Sequence, residues 1–100
     1  MYEKYEENYK YEGTLVNGRY DGRGVLWKNG EIEYIGEWQE GRYNGYGTKF
    51  FYDSNGERRY YTGEFSDGYM HGDGKIYNMS NEIIEIGPYE MGLKINENIE

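Results

Sequence analysis

The chain has one histidine, His71, and a catalytic imidazole needs a nucleophile and an orienting carboxylate in reach. Ser66 and Asp73 are the neighbours that qualify by type, but they form no coherent triad, and His71 reads as a polar surface residue. Three Gly-x-Gly pairs, Gly22-Arg23-Gly24, Gly45-Tyr46-Gly47 and Gly72-Asp73-Gly74, have the backbone freedom of a phosphate cradle. A dinucleotide site also needs a third glycine and a helix N-terminus behind the loop, and both are missing. Asp53-Ser54-Asn55-Gly56-Glu57 starts like a calcium loop, lacks the glutamate at its twelfth position, and suits a hairpin tip better. Lys49, Arg58 and Arg59 surround Phe50-Phe51-Tyr52, where an anionic lipid headgroup could dock at about 1 kcal/mol per base. Pairing with Glu57 and Glu64 across a sheet is the simpler expectation for these bases. No enzyme activity, metal or cofactor is expected.

Charge narrows the partners. The net charge is −8, and residues 61–100 hold eight acids against two bases, so −6 of it falls in the last 40 residues. A nucleic-acid binder needs a basic stripe, and this chain shows the reverse. With no cysteine, no apolar leader at Met1-Tyr2-Glu3-Lys4 and no apolar run longer than Phe50-Phe51-Tyr52, a cytoplasmic location is expected.

The elements that must position these residues follow from composition and periodicity. Fourteen of the residues are Tyr and none is Ala, which favours flat rings on pleated surfaces over helices. Sixteen Gly, scattered from Gly13 to Gly92, leave no span for an amphipathic helix, so the chain reads as all-β.

The glycines are also periodic. Tyr11-Glu12-Gly13-Thr14-Leu15, Tyr34-Ile35-Gly36-Glu37-Trp38 and Tyr61-Thr62-Gly63-Glu64-Phe65 share one pattern, each followed by Gly at offsets 7, 11 and 13 from its Tyr. A degenerate fourth copy begins at Glu85-Ile86-Gly87-Pro88-Tyr89 and keeps Gly92. Each unit predicts a β-hairpin: offsets 0, 2 and 4 share one strand face, and the intervening Gly leaves room for a ring against the backbone. Asn17-Gly18, Glu40-Gly41 and Asp67-Gly68 close the hairpins, while Asn29-Gly30 and Asn55-Gly56 join one unit to the next. The expected whole is an antiparallel up-and-down meander of about seven strands. Residues 1–10 form an extension or cap strand. The units are 11–33, 34–60 and 61–84, with a partial fourth at 85–92. Residues 93–100 form a tail or cap in which Leu93, Ile95 and Ile99 are available to cover the last hairpin.

The pattern resembles the membrane occupation and recognition nexus (MORN) repeat family, whose units look like Y-x-G-x-W/F-x-x-G-x-x-x-G-x-G. The resemblance spans residues 11 to about 92 and implies a single-layer, twisted, elongated sheet serving as an assembly or targeting module. The chain departs from the family at Leu15 and Glu85, which suggests capping repeats. It also departs at Tyr20, Tyr43 and Met70, which are bulky where polar residues are common.

Tyr20, Tyr43, Tyr69 and Met70 are expected in loops before the paired glycines, as an exposed aromatic ladder suited to an interface, and Tyr46 joins them as a binding candidate. The first expectation is therefore a non-enzymatic module binding another protein through this edge or a sheet face, with homo-oligomers through open sheet edges. One alternative is a small acidic inhibitor of a basic nucleic-acid enzyme. Another is a peripheral phospholipid-binding module, which the family name supports and the charge opposes.

Overall fold

The computed structural model describes residues 2–6 and 8–95. Its turns set the register. At Asn17-Gly18 both residues have positive φ, 53° and 78°, the combination whose twist matches the strands on either side. Asn29-Gly30, Glu40-Gly41, Asp67-Gly68 and Met91-Gly92 repeat that geometry. Two connections are longer. In the first, the Asp53 carboxylate accepts hydrogen bonds from the amides of Asn55 (2.8 Å) and Glu57 (2.9 Å). In the second, the Asn78 side chain does the same for Ser80 and Glu82, so one loop shape serves twice.

Among the described residues these turns separate ten strands: β1 (Tyr2–Glu6), β2 (Tyr9–Val16), β3 (Arg19–Lys28), β4 (Glu31–Gln39), β5 (Arg42–Tyr52), β6 (Arg58–Ser66), β7 (Tyr69–Asn78), β8 (Ile83–Ile86), β9 (Tyr89–Glu90) and β10 (Leu93–Lys94). They form an antiparallel, unclosed meander in the order β1-β2-β3-β4-β5-β6-β7-β9-β10, with β8 also paired to β7. The all-β architecture is as expected from the sequence, but the strand count is higher. The extension contributes β1, which runs along β2 from the Tyr2–Gly13 pair to the Glu6–Tyr9 pair. The strand that opens the fourth unit is broken into β8 and β9 at Gly87-Pro88, where proline offers no N–H to a ladder, and the tail adds β10. Of the expected tail, residues 93–94 are strand, and 96–100, with Ile99, lie outside the described residues.

The sheet measures 49 × 26 × 19 Å, and its core is a cluster on one face. Tyr11, Leu26, Tyr34, Trp38, Tyr61, Phe65 and Tyr89 are buried there. What makes the burial possible is a row of glycines across six strands: Gly13, Gly24, Gly36, Gly47, Gly63 and Gly74 are successive partners in register. Side chains lost along a whole row leave a trough one ring wide, and the repeat tyrosines lie in it. A Cβ built on Gly47 would run into the Tyr34 ring and hydroxyl. Just beyond this row each hairpin bulges, as between Gly36 and Trp38. Gly45, with φ 95°, turns the second strand there, and the Glu37 side chain folds over it to accept the Tyr46 amide at 2.8 Å.

Candidate functional site

Each repeat tyrosine is held at three points. Its ring covers the glycines. Its hydroxyl donates to the carbonyl three residues on, Tyr11 to Thr14, Tyr34 to Glu37 and Tyr61 to Glu64, all at 2.8 Å. Its ring also meets, nearly perpendicular, the aromatic of the next repeat: Tyr11 with Trp38 at 5.5 Å, Tyr34 with Phe65 at 5.2 Å and Tyr61 with Tyr89 at 5.3 Å between centroids. Trp38 donates its Nε1 proton to the Gly24 carbonyl at 3.1 Å. Burial is the main cause that pushes these phenols above their ordinary value, Tyr61 to about 12 and Tyr34 further. Their rings form the walls of the core.

The four residues expected in loops, Tyr20, Tyr43, Tyr69 and Met70, all lie on strands, and three of them face the core. Tyr20 and Tyr43 lie on β3 and β5, not in loops, and stack flat on their repeat tyrosines, Tyr20 on Tyr11 at 3.8 Å and Tyr43 on Tyr34 at 4.0 Å. The two-residue turn is the reason: Leu15 is paired with Tyr20, Trp38 with Tyr43 and Phe65 with Met70, which puts all three on the core face. Tyr43 also donates from its hydroxyl to Glu33 at 3.0 Å. Met70 is half-buried against the same cluster, on β7. Tyr69 and Tyr46 are the exposed members, 51% and 62%, and they do not adjoin. Tyr46 donates to the Glu64 carboxylate at 2.9 Å, a bond that raises its phenol. Changing Tyr20, Tyr43 and Met70 together would therefore damage the core as well as any surface.

The other chemical candidates are placed as follows. His71 is paired with Glu64 and Ser66 with Tyr69, two rungs apart along the ladder. Asp53 bonds Arg59 at 3.0 Å as well as its two amides, and the Glu57 amide is the first cause that holds its carboxyl below the usual range. Arg59 reaches Glu57 at 3.1 Å, as expected, but Glu64 is taken by Tyr46. Arg58 bonds Glu31 at 3.3 Å and the Ile32 carbonyl at 2.7 Å, and Lys49 lies over the Tyr43 ring at 5.6 Å.

The opposite sheet face holds a second set of rings that sequence reasoning passed over. Trp27, Phe50 and Tyr77 recur at offset 16 from Tyr11, Tyr34 and Tyr61. Tyr60 stacks on Tyr77 at 4.9 Å, and the cations Lys10 and Arg58 sit over Trp27 and Phe50, each at 4.9 Å. The threefold recurrence was the available signal, both here and at offset 9.

The model of the MORN repeat matches residues 11–32, 34–56 and 61–78, well over half of the chain. Comparison with curated proteins finds no match. MORN repeats are non-enzymatic modules that generally mediate protein or membrane interactions. The matched segments start at Tyr11, Tyr34 and Tyr61, the residues that the glycine trough is built to hold, and the chain belongs to the MORN repeat family.

Proposed function

We propose that this chain is a non-enzymatic module that binds another protein through the C-terminal part of its tyrosine face, in the cytoplasm. The observation that carries the reading is an apolar recess on that face: Phe51, Met70 and Ile76 stay half-exposed beside the exposed Tyr69 and Leu93. Clustered aromatic and methionine side chains on a rigid scaffold are the usual centre of an interface. The cysteine-free sequence supports a reducing compartment.

Crosslinking capture from native extract, read by mass spectrometry, tests the reading. Tyr69→Ser with Leu93→Ser should lose the captured protein while keeping the wild-type urea midpoint. The acidic-inhibitor reading draws on the −6 charge of residues 61–100. It takes over if that variant still captures its partner and neutralising Asp67, Asp73, Glu82 and Glu85 abolishes capture. The lipid reading is weaker, because Arg58 and Arg59 are already bonded to Glu31, Asp53 and Glu57. Liposome co-sedimentation of the wild type at physiological salt would reverse that order.

A further inference from the structure

The aromatic pairing that closes the tyrosine face in the first two repeats stops at the third. Where Tyr20 and Tyr43 stack on the repeat tyrosines, Met70 follows Tyr61, paired with Phe65 as Tyr43 is with Trp38. In the fourth repeat the tyrosine itself is replaced by Glu85, and the ninth residue after it is Lys94. Beside Met70 a cavity of about 510 Å³ opens on this face, walled by Phe51, Phe65, Ile76, Tyr89 and Leu93. Its size is that of a small-ligand pocket, and its lining includes a thioether that adapts to the shape of a ring. Lys49 and Lys94 reach its rim, against one carboxylate, Glu85, among the lining residues. On a chain of net charge −8 this is a locally basic mouth. One wall is the Tyr89 ring, on a residue only 1% exposed, with the Glu85 carboxylate beside its hydroxyl.

We infer that this cavity receives an aromatic side chain of the partner protein, next to an acidic residue of that partner which meets Lys49 and Lys94. The inference rests on the protein-binding reading above and names the chemistry of the same surface. A ring in the cavity lies against Met70, the residue that stands where Tyr20 and Tyr43 stack in the first two repeats. It lies against Phe65 and Tyr89, residues that already meet Tyr61 edge-on at 5.0 and 5.3 Å. The acidic neighbour follows from the two lysines, since like charge at the mouth would be rejected.

The probe is the peptide acetyl-Gly-Glu-Tyr-Glu-Gly-amide, titrated into the full chain carrying ¹³C-methyl methionine and leucine at low salt. It should move the Met70 methyl upfield by ring current, with a dissociation constant on the order of 1 mM for a single anchored ring. The same peptide with Lys for both Glu should bind several-fold more weakly, and the one with Ala for Tyr should leave the methyl in place. Met70→Tyr should raise the urea midpoint by rebuilding the stacked pair and abolish the shift of the Leu93 methyl. Lys49→Gln with Lys94→Gln should weaken binding about fivefold or more at low salt and little at high salt. Equal shifts from the Ala peptide, equal affinity of the Lys peptide, or undiminished binding to Met70→Tyr would each overturn the inference. So would a Met70 methyl that moves on dilution of the free protein, which would make a second copy the occupant. Native partner capture separates the two readings. If Tyr69→Ser with Leu93→Ser loses the partner and Met70→Tyr keeps it, the cavity assignment falls and the protein-binding reading stands. If both variants keep it, both fall.

Discussion

Trp38 touches the rings of Tyr11, Tyr20, Tyr34 and Tyr43, with centroids 5.0 to 5.5 Å away, and its indole proton is spent on the Gly24 carbonyl. Trp27 lies on the other face, half-buried under Lys10. The two indoles therefore differ in what their loss removes. Trp38→Ala opens a cavity at the junction of two repeats and orphans a carbonyl, at a cost of about 3–5 kcal/mol. That is comparable with the whole stability of a small domain. Trp27→Ala forfeits partial burial and a cation–π contact, about 1 kcal/mol. Urea midpoints measured side by side should separate sharply. Coincident midpoints would show that the load-carrying layer lies on the other face.

At the scale of the strand and turn, the connections differ in how well residue type matches backbone. Asn17 and Asn29 tolerate positive φ, whereas Glu40 adopts a φ of 51° with no such tolerance. Glu40→Asn should therefore stabilise the β4–β5 hairpin by up to about 1 kcal/mol, seen as a higher thermal midpoint with unchanged circular dichroism. An unchanged or lower midpoint would mean that the Glu40 side chain contributes something its turn geometry does not reveal. The same elements show what the sequence could disclose. Alternation and Asn-Gly pairs were enough for the hairpins, and the Tyr-Gly-aromatic triplet was enough for the core face. The placement of Tyr20 and Tyr43 was also within reach, since a two-residue turn at 17–18 puts residue 20 opposite residue 15. They were read as loop because glycine follows two residues later, and glycine signals a bend wherever it occurs. In fact the paired glycines split the work. Gly45 bends the strand, and Gly47 makes floor space for Tyr34. Residue type cannot tell these roles apart. Nor could spacing reveal that Arg58 would bond Glu31, because that pair joins the first residues of β4 and β6, from different repeats.

Over the whole molecule, each repeat leans on the next through perpendicular rings, with no second layer to share the burden. Acidity turns this into an observable. The unfolded chain ionises its phenols near pH 10, whereas folded Tyr61 holds its proton to about 12 and Tyr34 beyond that. The neutral phenols' contribution to stability is intact below pH 10 and is lost as pH rises through the interval above it. The last part of the tyrosinate absorbance, that of the buried phenols, should then rise together with the loss of the β signal. A phenol titration completed while the β signal persists would refute the arrangement. The contact between Trp38 and four tyrosines has an optical consequence as well. Light absorbed by those four phenols should pass to the indole, so the folded chain is expected to emit mainly as tryptophan despite having fourteen tyrosines and two tryptophans. The colour of its fluorescence thus reports whether neighbouring repeats are in register, without any added label.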